Sequence, residues 1–213
     1  MTKKVFWSDP YRTSLSTRVT KVDENRIFLD STVFFAFSGG QESDRGTIGG
    51  FEVVRAEARG AEIAYTLPAN HGLGASDSVE VRIDWDRRYR LMRLHFAAEL
   101  VLETVYRIFP GIVKAGAHIG ENKARLDFLM TESITPHLPR IAGKAARLIE
   151  EDHPIRSAFE DEERERRYWE IEGYARVPCG GTHLRRTGEI GPVELKRNNI
   201  GKGKERIEIT LAS

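Results

Sequence analysis

Ser78-Val-Glu-Val-Arg-Ile-Asp-Trp-Asp-Arg-Arg-Tyr-Arg-Leu-Met-Arg-Leu-His-Phe-Ala-Ala-Glu99 is the stretch on which the fold turns. Its first part, Ser78 to Asp84, reads as a strand. At Tyr89 the pattern changes: Leu91, Leu94, Ala98, Val101, Leu102 and Val105 recur at helical spacing until Pro110 stops the run. His95 and Glu99 fall at the polar border of that apolar stripe, four residues apart and therefore on one helix face.

Upstream of this helix, Arg18–Val22, Arg26–Asp30, Thr32–Phe37, Gly50–Val54 and Glu62–Tyr65 also read as strands, broken by turns rich in Gly, Pro and Asp. With Ser78–Asp84 they make six short strands with no helical period between them, which predicts a small β-barrel over residues 1–88. Downstream, His118-Ile119 and Ala124–Phe128 form a strand-like pair. A helix is expected from Pro139 to Asp152, with Ile141, Ala145, Leu148 and Ile149 on one face. The charged stretch Ser157–Arg167 reads as a second helix or a mobile connection, Tyr168–Glu172 as a strand, and Leu195–Leu211 as a hairpin bent at Gly201 and Gly203. Residues 89–213 are thus expected to form an α+β domain with helices packed on an antiparallel sheet.

The chain has 213 residues, 40% hydrophobic and 31% charged, as ordinary soluble globular proteins do. No apolar run is long enough to span a membrane. Met1-Thr-Lys-Lys-Val-Phe-Trp-Ser-Asp-Pro10 does not have the form of a signal peptide. A single cysteine, Cys179, excludes an internal disulfide and suits a reducing compartment, so the cytoplasm is the expected location. Net charge is only +1, yet Arg87, Arg88, Arg90 and Arg93 cluster, as do Arg185, Arg186, Lys196, Arg197, Lys202, Lys204 and Arg206. Such patches on a near-neutral protein fit either a polyanion such as RNA or a plain solvated surface. Asp127 is expected to be structural, paired with an arginine.

Val177-Pro-Cys-Gly-Gly-Thr-His-Leu-Arg-Arg-Thr-Gly-Glu-Ile-Gly191 carries the chemistry. Cys179 stands four residues before His183 across Gly180, Gly181 and Thr182, a spacing that lets a thiolate and an imidazole bind one Zn²⁺ from a tight turn. Two ligands do not complete a site. His95 and Glu99 supply the missing pair, so the candidate metal set is His95, Glu99, Cys179 and His183.

The ordered set of motifs resembles the editing domain of alanyl-tRNA synthetase and its free-standing trans-editing relatives. Leu29-Asp-Ser-Thr-Val-Phe34, Ser38-Gly-Gly-Gln41 and Asp44-Arg-Gly-Thr-Ile48 look like that family's glycine-rich motif. Ile83–Arg88 with Met92–His95, then Gly116–Ile119 with Ala124–Phe128, and finally Cys179–His183 with Thr187–Gly191, are similar to its later segments in the same order. The resemblance implies a β-barrel-like domain before an α+β editing domain shared with threonyl-tRNA synthetases. It implies a Zn²⁺-dependent hydrolase, with no nucleotide cofactor, that acts on the acceptor end of tRNA(Ala) mischarged with serine, and in some members glycine. It implies that Thr32 reads the serine hydroxyl, with Gly39, Gly40 and Gln41 as further substrate contacts. The amides of Gly180 and Gly181 are candidates for holding the oxyanion.

One departure stands out. Glu99 occupies the place of a second histidine, and Phe96 the place of a threonine. Three readings are open: Glu99 is a zinc ligand, a general base beside a zinc held by three residues, or a sign that the site has decayed. The last would leave a tRNA-binding module of the same fold without chemistry.

Overall fold

The computed structural model describes residues 1–201 and 203–212, which form two compact units, Met1–Tyr89 and Arg90–Ser213. The expected basic-tail residue Lys202 lies outside the described residues.

The first unit opens with β1 (Lys3–Lys4) and the single turn α1 (Val5–Ser8). β2 (Ser14–Asp23), β3 (Arg26–Leu29), β4 (Ser31–Thr32), β5 (Gly46–Ile48), β6 (Phe51–Glu52), β7 (Arg55–Arg59), β8 (Glu62–Thr66) and β9 (Ser78–Ile83) follow. Seven of these strands pair antiparallel in the order β6-β5-β9-β2-β3-β8-β7, while β1 runs parallel to β4. The long strand β2 joins the two halves of the row. Its first five residues pair with β9 and its later ones with β3, across a register shift between Val19 and Lys21 that bends the strand. The pairings end at β6 and β7, and closure into the expected barrel is not among them. Phe6, Val19, Ile27, Leu29, Phe34, Ile48, Tyr65 and Val81 are among the residues that fill the core.

One expected strand is absent. Past Thr32, the backbone of residues 33–36 leaves the ladder, where side chains take several of its hydrogen bonds, and Phe37 returns only as a single bridge to Glu57. Phe35 N–H donates to Asp44 Oδ2 at 2.7 Å, and Val33 O accepts from Arg88 Nη2 at 2.7 Å. Arg88 also donates to Asp44 Oδ1 at 2.8 Å and to Pro10 O at 2.9 Å. This fully buried ion pair holds the segment in the core as a loop. Arg87 turns inward as well, to Glu42 at 2.7 Å and the Ser43 carbonyl. Half of the expected arginine patch at 87–93 is therefore internal structure and not a solvent face.

α2 (Trp85–Ile108) is the long helix foreseen, and it is buried around most of its circumference between Leu91 and Val105. β10 (Val113–Ile119) and β11 (Ala124–Leu129) come next, then α3 (Leu138–Glu150), which buries Ile141, Ala145 and Ile149. β12 (Arg156–Asp161), β13 (Arg166–Ile171) and β14 (Ala175–Pro178) make one antiparallel sheet. β15 (Val193–Asn199) and β16 (Lys204–Leu211) are the expected hairpin and complete a second sheet of order β10-β11-β16-β15. The α+β class with antiparallel sheets stands.

The stretch read as a helix or mobile connection is instead β12 and its turn into β13. Most of β12 faces solvent, so its charges carry no strand signature. The turn is fixed by Asp161, which accepts from Arg164 N–H at 3.0 Å and pairs with Arg166. Asp127 has the structural role expected, gripped by Arg206 at 2.6 and 2.9 Å and by Arg125 at 2.7 Å. Arg197 is likewise taken by Glu205. Two of the tail's basic groups thus serve the hairpin.

Candidate metal centre

His95 projects from α2, and Glu99 lies one turn further along the same face, as their spacing demands. Cys179 comes from the end of β14. Its N–H donates to Arg167 O at 2.9 Å, extending the β13–β14 ladder one residue beyond Pro178 before the chain turns away through Gly180 and Gly181. His183 follows, buried at 3% exposure. Among the described residues, His95, Cys179 and His183 form the one group of metal-ligating side chains whose ligand atoms all lie within 4.8 Å of one another.

Cys179 Sγ is 3.2 Å from His183 Nε2 and 3.5 Å from His95 Nε2. Ligands held about 2.0–2.3 Å from one tetrahedral ion sit roughly 3.3–3.8 Å apart, so the spacing suits Zn²⁺. The donors suit it too: two imidazole nitrogens and a sulfur make a borderline-soft set. Glu99 Oε1 is 3.3 Å from His95 Nε2 and 3.7 Å from Cys179 Sγ, but Glu99 stands outside the mutually close group.

Neighbouring groups aim the ligands. Ser157 Oγ on β12 lies 2.8 Å from His183 Nδ1. In the tautomer that donates Nδ1–H to this oxygen, Nε2 keeps its lone pair toward Cys179. Phe96 packs edge-on against both His183 and Trp169, which makes it the wall behind the imidazole. His95 Nδ1 is buried and has no hydrogen-bond partner, so the polar contacts of this ring are those of Nε2 with Glu99 and Cys179. Arg167, 5% exposed, reaches the Gly181 carbonyl at 3.4 Å and props the loop. It is a residue that sequence reasoning missed, because one arginine in the highly charged stretch 160–167 gives no signal of facing inward.

The electrostatics act in opposite directions on the two imidazoles. Burial opposes a charged His95, but Cys179 and Glu99 beside it outweigh burial and push its pKa up to about 10. Glu99 is held below the usual carboxylate range: burial works against ionisation, and His95 more than offsets it. His183 moves the other way, held well below its ordinary value by burial first and then by His95 and Arg167. A neutral imidazole is the ligating form.

Downstream of His183, the Thr187–Ile190 turn is clamped from two sides. Asp152, just past α3, accepts from Gly188 N–H at 3.0 Å and from Arg186 Nε at 2.6 Å. Thr187 Oγ1 donates to Leu148 O at 2.6 Å, and Glu189 Oε1 accepts from the N–H groups of Arg185 and Arg186. From α2, Arg93 Nε donates to Ile190 O at 2.8 Å. The helix that carries His95 is thereby tied to the segment that carries His183.

The residues expected to touch substrate belong to the first unit. Thr32 is fully buried: its Oγ1 accepts from Phe34 N–H at 3.0 Å and lies 2.9 Å from Tyr65 Oη. Gly39 and Gly40, at φ 60° and 89°, form a two-residue turn closed by paired hydrogen bonds between Ser38 and Gln41. Gln41 is 1% exposed. Gly180 is exposed and Gly181 buried in the cysteine loop. His71, His118, His137 and His153 are outside the metal group, as expected.

Comparison with known proteins adds a family context. The family model described as the threonyl and alanyl tRNA synthetase second additional domain matches residues 169–208. The chain is 32% identical to the alanyl-tRNA editing protein AlaX-M of Pyrococcus horikoshii, with 99% of this chain and 98% of that protein covered. It is 31% identical to the protein of the same name from Saccharolobus solfataricus, with 99% of each covered. It is also 33% identical to the alanine–tRNA ligase of Ignicoccus hospitalis, where the full chain spans 26% of the ligase.

Proposed function

The chain belongs to the family of the alanyl-tRNA editing proteins AlaX-M, and on that premise we propose that it is a trans-editing hydrolase that clears tRNA(Ala) mischarged with serine. The observation that carries the reading is the cluster of His95, Cys179 and His183 with Glu99 alongside. A decayed site would have no reason to keep two buried imidazoles gathered with a half-buried thiol and carboxylate, given what burying ionisable groups costs.

In this reading His95, Cys179 and His183 hold Zn²⁺, which when bound supplies Lewis acidity and acidifies water. The chain's own residues do the remainder. Glu99, kept ionised beside His95, takes a proton from water as its oxygen attacks the ester carbonyl. The amides of Gly180 and Gly181 hold the negative charge that develops on the carbonyl oxygen. The bond to the ribose oxygen then breaks, that oxygen takes up the proton, and free serine and tRNA are released. Thr32, orientated by Phe34 and Tyr65, reads the serine hydroxyl, with Gly39, Gly40 and Gln41 as further contacts to substrate. A site that hydrogen-bonds a hydroxyl rejects the analogue without it far more strongly than an apolar slot does.

The test is deacylation of Ser-tRNA(Ala) and Ala-tRNA(Ala) together with zinc analysis. Wild-type protein is expected to hydrolyse the first and spare the second. Cys179→Ala is expected to lose zinc and at least about 100-fold in rate, and Thr32→Val to lose its preference for serine. Full turnover by Cys179→Ala would sink the proposal.

A further inference from the structure

The first unit carries a pocket of about 730 Å³ within the range that small ligands occupy, and neither Thr32 nor Gln41 lines it. The loop after Thr32 runs beside the edge strand β7 here, with Phe37 bridged in parallel to Glu57. Among the described residues of Met1–Tyr89, the exposed large hydrophobic side chains are Met1, Phe37 and Val54. The last two, 53% and 70% exposed, both line this pocket. Apart from the N-terminal Met1, the exposed large apolar groups of this unit are thus gathered at this one pocket.

The charges around it divide into two kinds. Glu42 and Asp44 are taken by Arg87 and Arg88, and Asp84 accepts the Arg87 N–H at the start of α2. These belong to the scaffold. At the solvent-exposed rim stand Arg45, Arg55 and Glu52. Arg55 pairs with the half-buried Glu57 at 3.0 Å, but its own side chain is 69% exposed and such a pair is weak and readily exchanged. An aromatic face flanked by exposed guanidiniums, with a carboxylate to accept from amino or hydroxyl groups, matches a nucleotide: a flat base, a phosphate and polar edges.

We propose that this pocket binds an unpaired nucleotide of the tRNA, its base stacked on Phe37 and its phosphate at Arg45 and Arg55. The assignment rests on the editing reading in taking tRNA as the partner. A single-stranded base offers a π-face whatever its identity, so the contact adds affinity with little sequence preference.

Equilibrium binding of uncharged tRNA(Ala) transcript to the full chain tests this across a salt series. Phe37→Ala is expected to weaken binding roughly 5- to 100-fold, the range of a lost base stack, while Phe37→Trp retains it. Arg45→Ala with Arg55→Ala is expected to flatten the salt dependence by about one unit of slope per phosphate contact. Unchanged binding by Phe37→Ala and by the arginine pair would overturn the assignment. So would sedimentation of the wild type as a dimer that Phe37→Ala splits, since the pocket would then seat a second copy. The two proposals fail separately. A protein that binds tRNA through Phe37 but deacylates nothing removes the editing reading alone, whereas one that edits while Phe37→Ala binds normally removes this one alone.

Discussion

Cys179 and His183 meet at 3.2 Å because the three-residue, glycine-rich turn between them brings them together. His95 and Glu99 meet at 3.3 Å because a helix turns once between them. Both pairs were legible from spacing. The approach of His95 to Cys179 across 84 residues was expected from the need to complete a ligand set and not from spacing, and the position of Glu99 outside the mutually close group was not legible. The proposed role of Glu99 as base is tested by removing its charge. Glu99→Gln is expected to retain zinc, measured by elemental analysis, and to lose about 100-fold or more in deacylation, the usual scale for a missing general base. Loss of zinc in that variant would make Glu99 a fourth ligand. Residue identity misled where it concerned charge. Arg87, Arg88 and Arg167 read as surface groups, yet each is at most 5% exposed and bound to an acceptor distant in sequence.

Among the elements, α2, α3 and the β15–β16 hairpin were legible because each carries its period and its stop signals locally. β12 was not, since a strand with little buried surface shows no alternation. The loop at 33–37 was missed for the opposite reason: its sequence is apolar and strand-like, but its backbone partners are the side chains of Asp44 and Arg88. The clamp on Thr187–Ile190 is also an element-scale device. A Cβ on Gly188 would lie 2.5 Å from Asp152 Oδ1, and Asp152 is itself held at φ 48°. Gly188→Ala is therefore expected to cost about 1–3 kcal/mol in urea unfolding. Zinc affinity, followed by competition with a chromophoric chelator, should fall with it, because His183 is four residues upstream of the clamp. An unchanged zinc affinity would uncouple the clamp from the metal site.

At the scale of the molecule, each unit carries its own buried or half-buried ionic network. The first has Arg88 with Asp44; the second has Arg206 and Arg125 on Asp127 and Arg197 on Glu205. Magnitudes rank them. Removing one member of a fully buried pair strands the other charge and costs about 3–5 kcal/mol, whereas an exposed pair contributes about 1 kcal/mol or less. Arg88→Ala should consequently lower the unfolding free energy of the Met1–Tyr89 unit by about 3–5 kcal/mol, far more than Arg82→Ala, whose partner Glu80 is exposed. Equal effects of the two variants in denaturant unfolding would contradict this ranking. No helix among the described residues is long and apolar enough to cross a membrane.

By itself, the amino-acid order determined which side chains are available for metal and substrate, where the helices and the last hairpin begin and end, and which family's motifs the chain carries. Those properties depend on neighbours a few residues apart, whose geometry the backbone constrains directly. Only the tertiary structure decided how closely His95 approaches Cys179 and His183, that Glu99 stands outside their mutually close group, and that the arginines at 87 and 88 turn inward. Contacts across tens of residues are chosen by packing, and the same charged side chain is a solvated group or a buried partner according to what folding brings beside it.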